Sequence, residues 1–165
     1  MRILVLGAGA IGGYFGARLL QAGADVTFLV RAGRAAQLAR DGLVVRSPLG
    51  DVVTTPRWVE AGTLRETCDL VLLTCKAYDL AGALDAIAPA MGPDSHVLPR
   101  LNGLLHLERL AHAFGAARVV GGCCTIPVTL GAGGEILHLM PMQRIAFGPL
   151  PGTGADAHAK LERQR

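Results

Sequence analysis

The chain has 165 residues, enough for one sizeable core and, on length, one domain. Hydrophobic residues make up 51% and aromatics only 4%, which excludes a disordered chain and a stacking surface for nucleic acid and calls for a core of Val, Leu, Ile and Ala. The net charge of +3 comes from scattered arginines with no dense basic run, so no nucleic-acid partner is expected.

In chain order, Ile3 to Leu6 is a short apolar run ending in glycine, as a central parallel strand would be. Ala10 to Ala22 carries Ile11, Phe15, Leu19 and Leu20 on one helical face, and Gly23 stops it. Val26 to Val30 is a second strand, completing a strand–helix–strand unit of about thirty residues. Gly33 to Arg40 reads as a short helix ended by Asp41-Gly42. Val44 to Arg46 and Val52 to Thr54 flank the turn signal Ser47-Pro48-Leu49-Gly50 as a small hairpin.

Asp69 to Thr74 is the next buried strand, and a helix is expected from Ala77 to about Met91, stopped by Gly92-Pro93. His96 to Leu101 reads as a strand, Leu104 to Phe114 as a helix closed by Gly115, and Val119 to Leu130 as one bent strand. Ile136 to Leu139 and Gln143 to Phe147 are the last strands, expected to build an antiparallel edge. The fold class is therefore α/β, a Rossmann-type, doubly wound, mainly parallel sheet with an antiparallel edge, over residues 1–148. Residues 149–165 read as a Pro/Gly-rich linker and the start of a helix that is not continued. No internal repeat is visible.

Cys68, Cys75, Cys123 and Cys124 contain no C-x-x-C pair, so they are expected as reduced core residues of a cytoplasmic protein and not as a zinc site. Arg2 followed by an apolar stretch resembles a signal peptide only superficially, because Gly7, Gly9, Gly12, Gly13 and Gly16 interrupt it. No run is apolar and long enough to span a bilayer, and a soluble chain is expected. His96, His106, His112, His138 and His158 show no ligand spacing and read as surface or structural residues.

The chemistry concentrates at Gly7-Ala8-Gly9-Ala10-Ile11-Gly12. A lone G-x-G-x-x-G carries little, but this one follows a strand, opens a helix and precedes a second strand. Gly7 permits the tight turn, Gly9 lets backbone approach a pyrophosphate, and Gly12 lets the helix pack closely on the strand. The amides and positive dipole end at the helix start then face phosphates. A glycine-rich turn that binds nothing is the competing reading.

At the end of the second strand an acidic residue would bind a ribose 2′-hydroxyl, whereas this chain has Val30-Arg31, with Arg34 three residues on. A guanidinium suits a 2′-phosphate, each charge-assisted bond contributing roughly 1.5–3 kcal/mol. NADP is therefore the expected cofactor, unless both arginines are merely exposed on a loop. Lys76, one of two lysines, follows a buried strand at the carboxyl edge where ligands bind in such sheets. Asn102-Gly103 follows the next strand, and an amide with both donor and acceptor suits a carboxamide or a substrate hydroxyl. A surface lysine and an ordinary Asn-Gly turn are the plain alternatives.

Together, Met1 to Gly13, Val30-Arg31, Thr74-Cys-Lys-Ala-Tyr-Asp79, Leu101-Asn102-Gly103 and Gly121 to Leu130 resemble the N-terminal half of the ketopantoate reductase (2-dehydropantoate 2-reductase) family. Gly134 to His138 and Arg144 to Gly148 extend the resemblance over nearly the whole chain. It implies NADPH-dependent reduction of 2-dehydropantoate, in the route to pantothenate and coenzyme A. It also implies that Gly7 to Gly12 and Arg31 hold the cofactor phosphates, that Lys76 and Asn102 lie near nicotinamide and substrate as the catalytic side of the site, and that backbone near Val128 touches the cofactor.

In that family the general-acid lysine and a substrate-binding acidic residue belong to a second, helical domain, which this chain is expected to lack. The polypeptide is then expected to bind cofactor with little or no turnover, and to self-associate through the face left bare. A truncated NADP-binding module that senses redox state or scaffolds a partner, and a related 2-oxo acid reductase, are the rival readings.

Overall fold

The computed structural model describes residues 1–150. Five strands make one parallel sheet: β1 (Arg2–Leu6), β2 (Asp25–Val30), β5 (Arg57–Glu60), β6 (Cys68–Leu73) and β7 (Met91–Pro99), in the order β5-β2-β1-β6-β7. The chain runs outward from β1 to one side, then returns to place β6 on the other. That reversal opens a crevice at the carboxyl ends of the strands.

Alternate residues of the same strands feed two cores. Ile3, Val5, Val26, Phe28, Leu72 and Leu98 face α1 (Ala10–Gln21) and α2 (Ala32–Asp41), which contribute Tyr14, Ala17, Ala35 and Leu38. Leu4, Leu29, Val71, Leu73 and Val97 face α3 (Leu80–Ile87) and α4 (Leu105–Phe114), which contribute Leu80, Ala83, Ile87 and Leu110. Burial on both faces is why these strands read as unbroken apolar runs.

β3 (Leu43–Arg46), β4 (Val52–Thr54), β9 (Val128–Leu130) and β10 (Ile136–His138) form a separate four-stranded sheet over α1. β8 (Val120–Thr125) and β11 (Arg144–Pro149) pair antiparallel beside β7, where Val119 bridges Val97. The expected antiparallel pieces are thus split between two small sheets. Buried Tyr14 ties α1 to them: its hydroxyl donates to Gln143 Oε1 at 2.8 Å, and its ring lies 4.7 Å from that of His138. His138 is itself held by Ser47 Oγ and the Met142 carbonyl, a structural role, as its lack of ligand spacing implied.

Several elements differ from the sequence reading. The expected bent strand over 119–130 is broken at Ile126-Pro127 into β8 and β9, because Pro cannot donate to a ladder. Gly92-Pro93 does not precede β7 but lies within it. Ser95 Oγ takes the Gly92 N–H and donates to the Cys68 carbonyl where the β6–β7 register shifts, so this irregular edge tolerates the proline. The helical stretch over 77–90 is α3 flanked by single 3₁₀ turns. β5 has no counterpart in the reading; it follows Pro56 and pairs only with β2, where Arg57 meets Asp25. Cys123 is exposed rather than core, because β11 and its partner leave one face open. Pro149 closes β11 and Leu150 follows it; the rest of the expected linker and helix start, from residue 151, lies outside the described residues.

Two helical glycines predict opposite responses to alanine. A Cβ at Gly16 would overlap the ring of fully buried Phe28, whereas at Gly82 nothing lies within 4 Å. Gly16→Ala is expected to destabilise by about 1–3 kcal/mol and Gly82→Ala to stabilise by about 0.5–1 kcal/mol, read from urea midpoints.

Candidate functional site

β1 ends at Leu6, and Gly7 turns the chain at φ +93, a conformation side chains rarely adopt; its N–H donates to the Leu29 carbonyl at 2.9 Å. A Cβ at Gly12 would overlap the Gly7 carbonyl and Thr74 Oγ1, so only glycine lets α1 start this close to the sheet. At Gly9 a Cβ would meet nothing within 4 Å, leaving open space over the turn. α1 has Gly9 at its N-cap with no side-chain cap and no acidic residue in its first turn. Its first internal bond runs from Gly13 N to Gly9 O at 2.7 Å, which leaves the amides of Ala10, Ile11 and Gly12 without acceptors inside the helix. The positive end of the helix dipole is therefore uncompensated.

Thr74, just past β6, fastens this turn: its hydroxyl donates to the Leu6 carbonyl at 2.7 Å. Sequence reasoning passed over it, although a threonine at the end of the strand beside β1 is well placed to latch a carbonyl there.

From Gly7, Ala8 and Gly9 a cleft of about 700 Å³ runs across the carboxyl ends of β1 and β2. Leu29, Val30, Arg31 and Arg34 line one side and Cys75, Asp79, Gly82, Ala83 and Ala86 the other. Arg31 is the N-cap residue of α2, and its side chain is 83% exposed; its Nη2 donates to Asp79 Oδ1 at 2.9 Å. Arg34 is half-buried, and its Nη1 donates to the Gly134 carbonyl at 2.8 Å. Its Nε and Nη2 are buried and find no partner among the described residues, and burial lowers its pKa. A guanidinium nonetheless stays charged, so Arg34 adds a fixed positive charge to the cleft wall. Cys75 has its thiol pKa pushed up, first by burial and then by the Asp79 charge, so it is protonated at neutral pH.

The structure brings Gly7, Ala8, Gly9 and Arg31 together around one cleft, with Ala10, Ile11 and Gly12 forming the helical turn behind them. Lys76 and Asn102 are exposed, each three residues beyond the registered pair Leu73 and Pro99. They share the carboxyl edge of the sheet but lie outside this cleft's lining. Val128 is half-buried, packed against the first core and in register with His138; Leu130 of the same strand is the residue that reaches the cleft. Cys75, expected as a core residue, and Asp79, Gly82, Ala83 and Ala86 were not read from sequence as cleft residues. Their spacing on α3 was the available signal for a helix face kept small. Among the described residues no group of His, Cys, Asp or Glu is arranged to hold a metal ion, and no helix is long and apolar enough to cross a membrane.

The sequence profile described as ketopantoate reductase PanE/ApbA matches residues 3–152. The oxidoreductase YkpB of Bacillus subtilis is 41% identical over 98% of this chain and 53% of its own length. A 2-dehydropantoate 2-reductase of Nostoc is 33% identical over 82% of this chain and 42% of its own. Among solved structures, a 2-dehydropantoate 2-reductase from Geobacter metallireducens superposes with a TM-score of 0.87 at 34% identity, covering 98% of this chain and 53% of that one. A D-mandelate dehydrogenase solved with NADH and anilino(oxo)acetate shares the fold at 24% identity and a TM-score of 0.87. The chain spans about half the length of the curated relatives it matches. With residues 3–152 matched by that profile, nearly the whole of its length, the chain belongs to the ketopantoate reductase PanE/ApbA family of oxidoreductases.

Proposed function

We propose that this chain is the NADPH-binding part of an oxidoreductase that reduces the ketone of 2-dehydropantoate to pantoate, in the route to pantothenate and coenzyme A. The observation that carries the cofactor reading is the meeting, in one cleft, of the open Gly9 position, the uncapped start of α1 and two guanidiniums. The family and the relatives named 2-dehydropantoate 2-reductases support the substrate.

The residues fit a dinucleotide carrying a 2′-phosphate. The Ala10, Ile11 and Gly12 amides would hold the pyrophosphate, which accepts from several donors at once and favours the positive helix end. Arg31, whose side chain is exposed at the cleft, would hold the 2′-phosphate, with the charge of Arg34 in the cleft wall behind it. Leu29, Val30, Ala83 and Ala86 give the cleft apolar walls that exclude water around the nucleoside. When bound, NADPH supplies the hydride for the ketone carbon. At the same edge, the Lys76 ammonium can orient the substrate carbonyl or carboxylate, and the Asn102 amide offers a donor and an acceptor to a carboxamide. Ketone reduction leaves an alkoxide that needs a proton. Both side chains are exposed in this chain, and we assign those two to binding and orientation.

A second substrate reading rests on one observation: the relative at 41% identity is named only as an oxidoreductase, so another 2-oxo acid is the alternative. A reducing cytoplasm suits four cysteines that are all free thiols, and we propose it as the location. We also propose self-association through the apolar patch of Leu139, Met140, Met142, Ile145 and Phe147, all exposed. Sedimentation of the purified chain is expected to be concentration-dependent, and a strictly monomeric profile would contradict this.

Calorimetric titration tests the cofactor reading. NADPH is expected to bind about tenfold to a hundredfold more tightly than NADH, and Arg31→Ala to remove most of that difference. Thr74→Val, which releases the turn without touching the phosphate site, is expected to weaken both nucleotides alike by about fivefold. With 2-dehydropantoate and NADPH, the 165-residue chain is expected to turn over slowly or not at all, and brisk NADPH oxidation would overturn the assignment of Lys76.

A further inference from the structure

We infer that Asp79 is a specificity-determining residue of the cofactor cleft, one that holds Arg31 in the free protein and opposes a 2′-phosphate there. The inference rests on the NADPH reading above and concerns how far the cleft can prefer that nucleotide.

Asp79 stands at the N-cap of α3, a position where an aspartate ordinarily bonds the helix's own free amides. It makes no such bond. Its carboxylate instead reaches across the cleft to Arg31 Nη2, 48 residues away in sequence, at 2.9 Å. The bond joins the end of β2 to the segment after β6, over the space between them.

It is not a structural staple. The Arg31 side chain is 83% exposed and that of Asp79 34%, and ion pairs so open to water contribute little to stability and break readily. The pairing matters to a ligand more than to the fold. A phosphate drawn to Arg31 must displace the carboxylate and then sit within a few ångströms of it. Arg34 cannot take over unaided, because its guanidinium is anchored to the Gly134 carbonyl and to Gln37.

A nucleotide with a plain 2′-hydroxyl meets the reverse situation. It brings no anion, and a carboxylate is a good acceptor for a ribose hydroxyl. In sheets of this kind that acceptor usually stands at the end of the second strand. Here Val30-Arg31 occupies that place and the acid arrives from another segment, so the cleft holds both a cation for NADPH and an anion for NADH.

The experiment is a titration of the full chain and its variants with NADPH and with NADH. Asp79→Asn is expected to raise the NADPH-to-NADH affinity ratio by about threefold to tenfold, mainly by tightening NADPH. Asp79→Ser, which can still cap α3, is expected to do the same, so that a poorly folded Asn variant does not decide the matter. In an Arg31→Ala background the gain is expected to shrink, since no guanidinium is then released. A ratio unchanged within twofold in both Asp79 variants, or equal weakening of both nucleotides, would overturn the inference while leaving the NADPH reading in place. Failure of the unaltered chain to bind either nucleotide, or an Arg31→Ala chain with undiminished NADPH affinity, would overturn that reading and this inference together.

Discussion

The fold depends on how closely the first helix approaches the sheet. At Gly12 a methyl group would run into the Gly7 carbonyl and Thr74, at Gly13 into Ile136, and at Gly16 into the Phe28 ring. Gly12 and Gly16, one turn apart on α1, thus set its distance from the parallel sheet, and Gly13 lets β10 of the smaller sheet close on its other side. With that distance set, the helix starts immediately after the turn at the end of β1, beside the crevice where strand order reverses. A side chain at any of these positions would lift the helix and move the donors away from the place where phosphates are proposed to bind.

The same packing explains why the candidate site lies at one edge. Helices cover both faces of the parallel sheet, so the two cores leave no apolar surface there for a ligand. What remains is the row of strand ends, which Gly7, Arg31, Thr74 and Arg100 follow. Polar groups there are unevenly satisfied. Thr74 is latched to Leu6, whereas Arg34 keeps two buried donors without partners and the α1 amides have no cap. Groups left unsatisfied inside a well-packed molecule are costly, and at the uncapped helix start a bound anion would offset that cost.

Much of this was legible in the sequence, for identifiable reasons. The β1–α1–β2 unit was readable because strand and helix periodicities differ and glycine marks the change between them. Arg31 was readable because its place at the end of β2 is defined by that unit. β5 was not, since a proline followed by a short, half-polar edge strand lacks a strand's pattern. The break between β8 and β9 was hidden because apolar residues continue through Ile126-Pro127 while the chain moves from one sheet to another. Asp79 was hidden for a different reason. Its position just before a helix suggests a cap, and only the three-dimensional approach of β2 shows that its partner is Arg31. Lys76 and Asn102 were correctly placed at the carboxyl edge, yet sequence could not show that they stand outside the wall of the cleft that Arg31 borders.

The central claim is that the free amides at the start of α1 and the two arginines bind one dinucleotide. Amide-resolved NMR of the chain during titration with NADPH tests it most directly. The account predicts the largest, saturable shifts at Gly9, Ala10, Ile11 and Gly12, with Arg31 and Arg34 side-chain signals moving at the same nucleotide concentrations. Saturable shifts confined to other parts of the sheet, with the glycine turn unmoved, would contradict it.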